Sequence, residues 1–377
     1  FVPDEKRGTD QIANVVGEEQ FTRSGDSNIA ESLKRVSGLS TVAGKYVYVR
    51  GLGERYATTL LNGAILPSPE PLNRVVPMDL FPTGILESVL VQKTYSAAYP
   101  GEFGGGVLQM RTKKSTDEFF WNFASTVGVI DNATFKDGFM VSGGDTDWLG
   151  MDDGFRAPSQ ALLNATANGN ELKLKSRFSG IGVPADELEA VGESFNNQYT
   201  PTEESAAPNV NISTSFGNFY DVGSTGMKIN YLASLDYSNS WDINRIERNT
   251  FVPSSVGLDI QEDLDVVNTE NSIDLSGIFS AGLDIDENNN VRFTSVALRQ
   301  TDDRVFQTTG ETLDAPDLST TELQWVEREI LSNQLQGDHY FPAFNELVVN
   351  WRYSDIIATR DAPDTRSYRY DGGEFSS

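Results

Sequence analysis

The stretch SGGDTDWLGMDDGFRAPS, residues 142–159, gathers Asp145, Asp147, Asp152 and Asp153 around Trp148, Phe155 and Arg156. Carboxylates spaced by glycines offer the hard oxygen ligands that Ca²⁺ takes, and the aromatic rings beside them could stack on a sugar or an aryl chelate. A solvated loop closed by turns accounts for the same residue types, so calcium on the four aspartates is the weaker reading and the site is otherwise a candidate substrate loop. A second stretch, YVYVRGLGERYATTLLNGAILPSPEP (46–71), sets Arg50, Gly51, Gly53, Arg55 and Asn62-Gly63 among strand-forming residues. A phosphate cradle fails there on spacing. A dinucleotide loop needs a third glycine three residues after the second and then a helix, whereas Tyr56 follows Gly53 and the chain continues as a strand. A Gly-Lys-Ser or Gly-Lys-Thr ending is also missing.

Composition removes further chemistry. The chain has no Cys and one His, His339, which leaves no thiolate site, no His cluster and no His-based nucleophile. No spacing among the 55 acidic residues singles out an acid/base couple. Neither an enzyme nor a bound cofactor is expected. A net charge of −26 excludes nucleic acid as a partner. That charge is unevenly spread: residues 1–115 carry 13 Lys+Arg against 12 Asp+Glu, and residues 116–377 carry 16 against 43. Two parts with different surroundings follow.

No apolar run reaches the roughly 18 residues of a spanning helix, but β-barrels cross membranes with a far weaker signal. That signal recurs. In MKINYLASLDYS the residues Met227, Ile229, Tyr231, Ala233, Leu235 and Tyr237 share one strand face. SIDLSGIFSAGLDI and ELVVNWRYSDII repeat the alternation, and the stretches starting at Phe119, Val210, Val291 and Glu322 bring the strand candidates to seven. Connections over 131–209, 240–270 and 302–321 are long and acidic, while those over 221–226, 286–290 and 341–345 are short. Such strict alternation predicts periplasmic turns and external loops. DIDENNN (284–290) falls at a short turn and reads as a plain hairpin rather than a calcium loop. Seven strands do not close a barrel, so the chain is expected to be an N-terminal portion of a longer protein.

Residues 1–10 read as a linker or disordered start, 11–115 as a small α+β domain without a large apolar core of its own, and 116–377 as barrel wall. GDSNIAESLKRVSGLS offers Asp26 or Ser27 as a helix cap and Gly38 as its stop. Asn62-Gly63 marks a hairpin turn, and Gly104, Gly105 and Gly106 open a strand.

IAESLKRVSGLS, YVYVRGLGERYATTLLNGAILPSPEP and VVPMDLFPTGILESVLVQKTYSAAYPGEFGGGVLQMRTK resemble, in that order, the plug domain of TonB-dependent outer-membrane receptors, and the remainder resembles the first strands of their barrel. The resemblance implies a membrane β-barrel of about 22 antiparallel strands with the α+β plug in its lumen. It implies active import of a scarce solute, a ferric siderophore, glycan, peptide or vitamin, across the outer membrane of a Gram-negative bacterium. The implied partners are the TonB complex, outer-membrane lipid and lipopolysaccharide. Plug arginines paired with barrel carboxylates are implied as locks, with Arg50 and Arg111 the best matches and Arg55 a third. A TonB box is not identifiable before Gln11. A passive porin or a surface-binding or signalling barrel is the alternative.

Overall fold

The fold is seen in a computed structural model that describes residues 13–24, 26, 28–53, 56–71, 75–94, 104–114, 118–169, 171–178, 180–223, 226–372 and 374–376. The linker expected over 1–10, the alternative cap Ser27 and the candidate lock Arg55 lie outside the described residues.

The N-terminal unit opens with β1 (Ala13–Gly17), α1 (Glu18–Ser24) and α2 (Ile29–Leu33). Asn28 caps α2: its backbone is extended and its side-chain oxygen accepts the Glu31 amide at 3.1 Å, satisfying a first-turn donor. Asp26, one of the two caps expected, is buried and instead accepts the Ser32 hydroxyl at 2.8 Å and the Arg35 guanidinium. The hairpin β2 (Leu39–Val42) and β3 (Tyr46–Val49) follows, then β4 (Ala57–Leu61), β5 (Ala64–Ile65), β6 (Leu86–Gln92) and β7 (Gly106–Thr112). Five of these strands form one sheet in the order β1-β6-β7-β4-β5, with β4 and β7 parallel. Asn62 and Gly63 turn β4 into β5 with φ of 48° and 83°, the two positive values that a tight hairpin requires. At the head of β7, a Cβ on Gly106 would stand 2.9 Å from Val49 Cγ1, so only glycine allows the close approach of β7 to β3.

Contrary to the sequence expectation, this unit has a substantial core. Phe21, Ile29, Leu33, Val47, Leu61, Phe81, Ile85, Val89, Leu108 and Met110 are all buried in one cluster. Each such side chain contributes about 1.5–3 kcal/mol on burial. The expectation misled because every element is short and supplies only a few apolar residues; the core exists only once distant segments meet.

The wall begins with β8 (Phe120–Gly128). A long insert then carries β9 (Asp137–Met140), α3 (Gln160–Ala165), α4 (Ala185–Glu193) and β10 (Thr202–Ser205). The wall resumes with β11 (Asn209–Val222), β12 (Met227–Ser254), β13 (Gly257–Asp286), β14 (Asn289–Thr312), β15 (Leu318–Phe341), β16 (Leu347–Asp361), β17 (Arg366–Asp371) and β18 (Glu374–Ser376). All its pairings are antiparallel. β16 and β17 both pair with β15, over Glu327–Phe341 and Leu318–Leu323 respectively. They are two halves of one strand, so seven wall strands precede the short return strand β18.

Two of the three segments expected as long loops are strand instead. Residues 240–254 and 257–270 continue β12 and β13, and residues 302–312 and 318–321 continue β14 and β15. At 30 residues and about 3.4 Å per residue, β13 is roughly 100 Å long, against the roughly 9–11 tilted residues that cross a bilayer. The alternation that marks a lipid-facing strand stops partway along, although the ladder does not, because the far half has different surroundings.

Strand alternation sorts those surroundings. Even-numbered wall residues face the N-terminal unit: Gln334 Nε2 donates to Leu61 O at 3.0 Å, and Leu232, Ile278, Val296, Leu298 and Ile330 join its apolar core. Odd-numbered residues point the other way. Near the short turns these are Leu235, Phe279, Phe293, Leu331 and Tyr353, large and exposed. Farther along, the odd face is covered by the insert: Thr269 Oγ1 accepts the Phe139 amide at 3.0 Å, and Thr301 Oγ1 donates to Gly150 O at 2.7 Å.

Candidate functional site

The even face of the wall presents three rows of polar side chains to the plug, set by strand register. One row is Glu270, Arg304 and Gln324; the next is Ser272 and Asp302, ending at the apolar Val326; the third is Asp274, Gln300, Arg328 and Arg360. Asp302 is the hub. Its carboxylate is buried and receives Arg328 at 2.7 Å, Arg304 at 3.0 Å, Lys45 at 3.1 Å and the Ser272 hydroxyl at 2.9 Å. Three cations around one buried carboxylate offset its desolvation, and removing any of them leaves charge poorly compensated.

The plug supplies its share through local turns. Ala43 and Gly44, with φ of 52° and 69°, close the β2–β3 hairpin and project Lys45. The Lys45 carbonyl accepts the Met78 amide at 2.9 Å, which brings the 3₁₀ turn Met78–Leu80 alongside. Asp79 on that turn lies 3.4 Å from the Lys45 ammonium and accepts Gln300 Nε2 at 3.3 Å. Burial alone would lower the Lys45 pKa, but Asp302 and Asp79 outweigh it and hold the ammonium above its ordinary value. Burial pushes the Asp79 carboxyl upward, opposed by Lys45.

Glu70 is the second plug contribution. Its carboxylate stands 2.7 Å from Arg328 Nε and 3.9 Å from Arg360 Nε. Plug and wall also meet sterically: a Cβ on Gly63 would lie 2.5 Å from Arg352 Nη1, so the β4–β5 turn is in close contact with β16. The site is therefore a two-sided electrostatic latch laid beside an apolar pad.

The latch exchanges the expected polarity in part. Its plug members are Lys45, Asp79 and Glu70, and arginines come from the wall. Arg50 occupies a tight turn with Gly51, φ 54° and 75°, where its amide donates to Gly38 O at 2.8 Å and its side chain is beside Gly38 and Lys93. Gly53 follows in the same turn. Arg111 is half-buried on β7, where burial lowers its pKa. Gly104 and Gly105 pack against Tyr56 and Leu52. Sequence reasoning did not find Lys45, Asp79 or Glu70; a lysine at a hairpin tip is the one local signal that could have pointed there.

The candidate substrate loop is built but faces the other way. Arg156 forks onto Asp147 at 2.6 and 2.8 Å, reaches Asp152 at 3.3 Å, and lies 3.7 Å over the Trp325 ring. Asp153 accepts the Asp145 and Phe155 amides at 2.9 and 3.1 Å, and Asp152 accepts the Gly154 and Arg156 amides at 3.2 and 3.1 Å. Their carboxylates close turns. Among the described residues no group of three or more acidic or His side chains is arranged for a metal ion. Trp148 O accepts the Tyr237 hydroxyl at 2.7 Å, and Asp152 N donates to Glu327 at 3.0 Å. Tyr237 and Glu327 are odd-numbered wall residues, so Asp145, Asp147, Trp148, Asp152, Asp153, Phe155 and Arg156 lie on the wall face opposite the plug.

Comparisons with known proteins bear on this arrangement. The TonB-dependent Receptor Plug Domain family matches residues 5–107. A search of curated proteins finds no match. Similar solved structures include a mutant of the ferric enterobactin receptor from Pseudomonas aeruginosa, at 10% identity over 98% of this chain and 58% of that one, TM-score 0.35. Others are the siderophore receptor PiuA from Acinetobacter baumannii, at 12% identity over 96% and 46% with TM-score 0.35, and a double mutant of the hemophore receptor HasR from Serratia marcescens, at 10% over 97% and 61% with TM-score 0.30. This chain thus spans about 58% of the enterobactin receptor's length. Residues 5–107 thus match the TonB-dependent receptor plug family, and the unit they form is seated on a wall of antiparallel strands.

Proposed function

We propose that this chain is the gated portion of an active importer in the outer membrane of a Gram-negative cell. The plug closes the pore, the latch holds it in register, and energy delivered by the TonB complex releases the latch so that a scarce solute passes. The observation that carries this reading is the Asp302 hub, where one buried wall carboxylate collects Lys45 from the plug together with Arg304 and Arg328 from the wall. Charged hydrogen bonds of this kind fix geometry yet can be exchanged for water as the parts separate. A solely structural plug would be served as well by apolar packing. The exposed odd-numbered apolar residues fit contact with lipid.

Because the sequence carries no cysteine, a plug–wall tether can be introduced at Asp79→Cys and Gln300→Cys, where the turn Met78–Leu80 runs against β14 and the Asp302 hub is left intact. Cells making the receptor should accumulate a radiolabelled solute, screened among ferric siderophores and haem, only while the inner membrane is energised. Oxidising the tether should stop accumulation and leave surface binding, and reduction should restore it. Accumulation in de-energised cells, or through an oxidised tether, would sink the proposal.

A further inference from the structure

The insert and the odd face of the wall flank an open cavity of about 350 Å³, within the size range of small-molecule sites. It plays no part in the latch. Met140, Val141 and Val305 give it apolar walls, and Trp148 and Trp241 line it with indole rings. Asp303 also lines it. That carboxylate is half-buried and, among the described residues, receives no hydrogen bond from a protein donor; burial pushes its pKa up, so it gains from a cation placed beside it. The nearest cation, Arg156, is committed elsewhere, forked onto Asp147, bonded to Asp152 and stacked on Trp325. Asp303 therefore faces the cavity as an acceptor without a donor.

We infer that this cavity binds an organic ammonium ion on an apolar stem, its N–H groups donating to Asp303 and its stem lying against Trp148 and Trp241. Indole faces attract a cation electrostatically and apolar carbon by dispersion, and a half-buried carboxylate supplies the charge-assisted bond. Asn271 Nδ2, also on the lining, is already engaged, donating to Asn239 Oδ1 at 2.7 Å and to Ser240 O at 3.1 Å.

The test is calorimetric titration of the receptor purified from membranes in detergent, using phenethylammonium and its neutral isostere phenethyl alcohol. Phenethylammonium should bind and the alcohol should not. Asp303→Asn, nearly isosteric, should weaken the ammonium roughly tenfold or more, with the thermal midpoint of the protein retained. Asp186→Asn, on the same insert but outside the cavity lining, should leave binding unchanged and so controls for general acidity. Equal binding of the alcohol, an unaltered affinity in Asp303→Asn, equal weakening in Asp186→Asn, or no binding of phenethylammonium would each overturn the inference.

Discussion

Arg328 and Arg360 stand directly opposite each other on β15 and β16, and the Glu70 carboxylate reaches both from the plug, at 2.7 and 3.9 Å. Like charges in register destabilise a sheet, so the docked plug relieves a repulsion that the wall builds into itself. Glu70→Gln should loosen plug docking by about 3 kcal/mol, read as faster proteolysis of the plug in intact barrels. Glu70→Gln with Arg360→Gln should recover part of that loss; no recovery would mean that Arg360 does not contribute.

Lys45→Met should cost a similar amount, about 3 kcal/mol, since it leaves Asp302 with one partner fewer and Asp79 with no lysine. The double change Lys45→Met with Asp79→Asn should cost less than Lys45→Met alone. A double-mutant cycle on thermal midpoints measures the coupling.

Asp79 predicts a pH dependence of definite sign. Its docked pKa is raised above the ordinary 3.8, chiefly by burial. The docked state therefore binds the proton more tightly than the undocked one, and this group's contribution is full at low pH and is lost as pH rises through the docked pKa. Asp79→Asn should accordingly hold or raise the thermal midpoint at pH 7, with its advantage over the unaltered protein vanishing as pH falls toward 4. An advantage that grew on acidification would reverse the assignment.

Gly63→Ala should destabilise by about 1–2 kcal/mol from its positive φ alone, and only slightly further through Arg352, whose flexible guanidinium tip a Cβ would displace. Arg352→Ala in the same chain should remove the second part and leave the first, as thermal midpoints of the single and double variants would show.

Phe279→Arg, in the exposed apolar band of the odd face, should lower barrel stability by about 2–4 kcal/mol in lipid if that band lies near the membrane midplane. Ile260→Arg, also exposed but on the far half of β13, should be near neutral. Refolding into vesicles under urea titration separates the two.

What the sequence made legible follows interaction range. The Asn62-Gly63 turn and the seven strands depend on neighbours within a few residues or on alternation along one strand, and both are readable locally. The latch joins Lys45 to Asp302 across 257 positions and Glu70 to Arg328 across 258, so no local pattern marks it. Arg50 attracts notice beside glycines, but its positive φ shows that the Arg-Gly step serves a turn. The Asp and Trp cluster of the insert reads as a site because its residue types are right; which side of the wall it occupies depends on register alone. The far halves of β12 to β15 look like loops because the insert covers their odd face only around Ile243, Thr269 and Thr301 and the tips beyond are exposed, so the apolar alternation is no longer needed.

The place of β1 at the sheet margin sets a sequence of mechanical events. Among the described residues it pairs with β6 alone, through five residue pairs from Ala13–Gln92 to Gly17–Ser88, whereas β4 and β5 at the opposite margin carry Gly63 against the Arg352 guanidinium. A pull entering upstream of Ala13 would load that short outer ladder first, pair by pair, while the far margin stays fixed to the wall. Opening would then proceed as a zipper toward an anchored hinge, with a small force threshold at its first step and the apolar pad uncovered late.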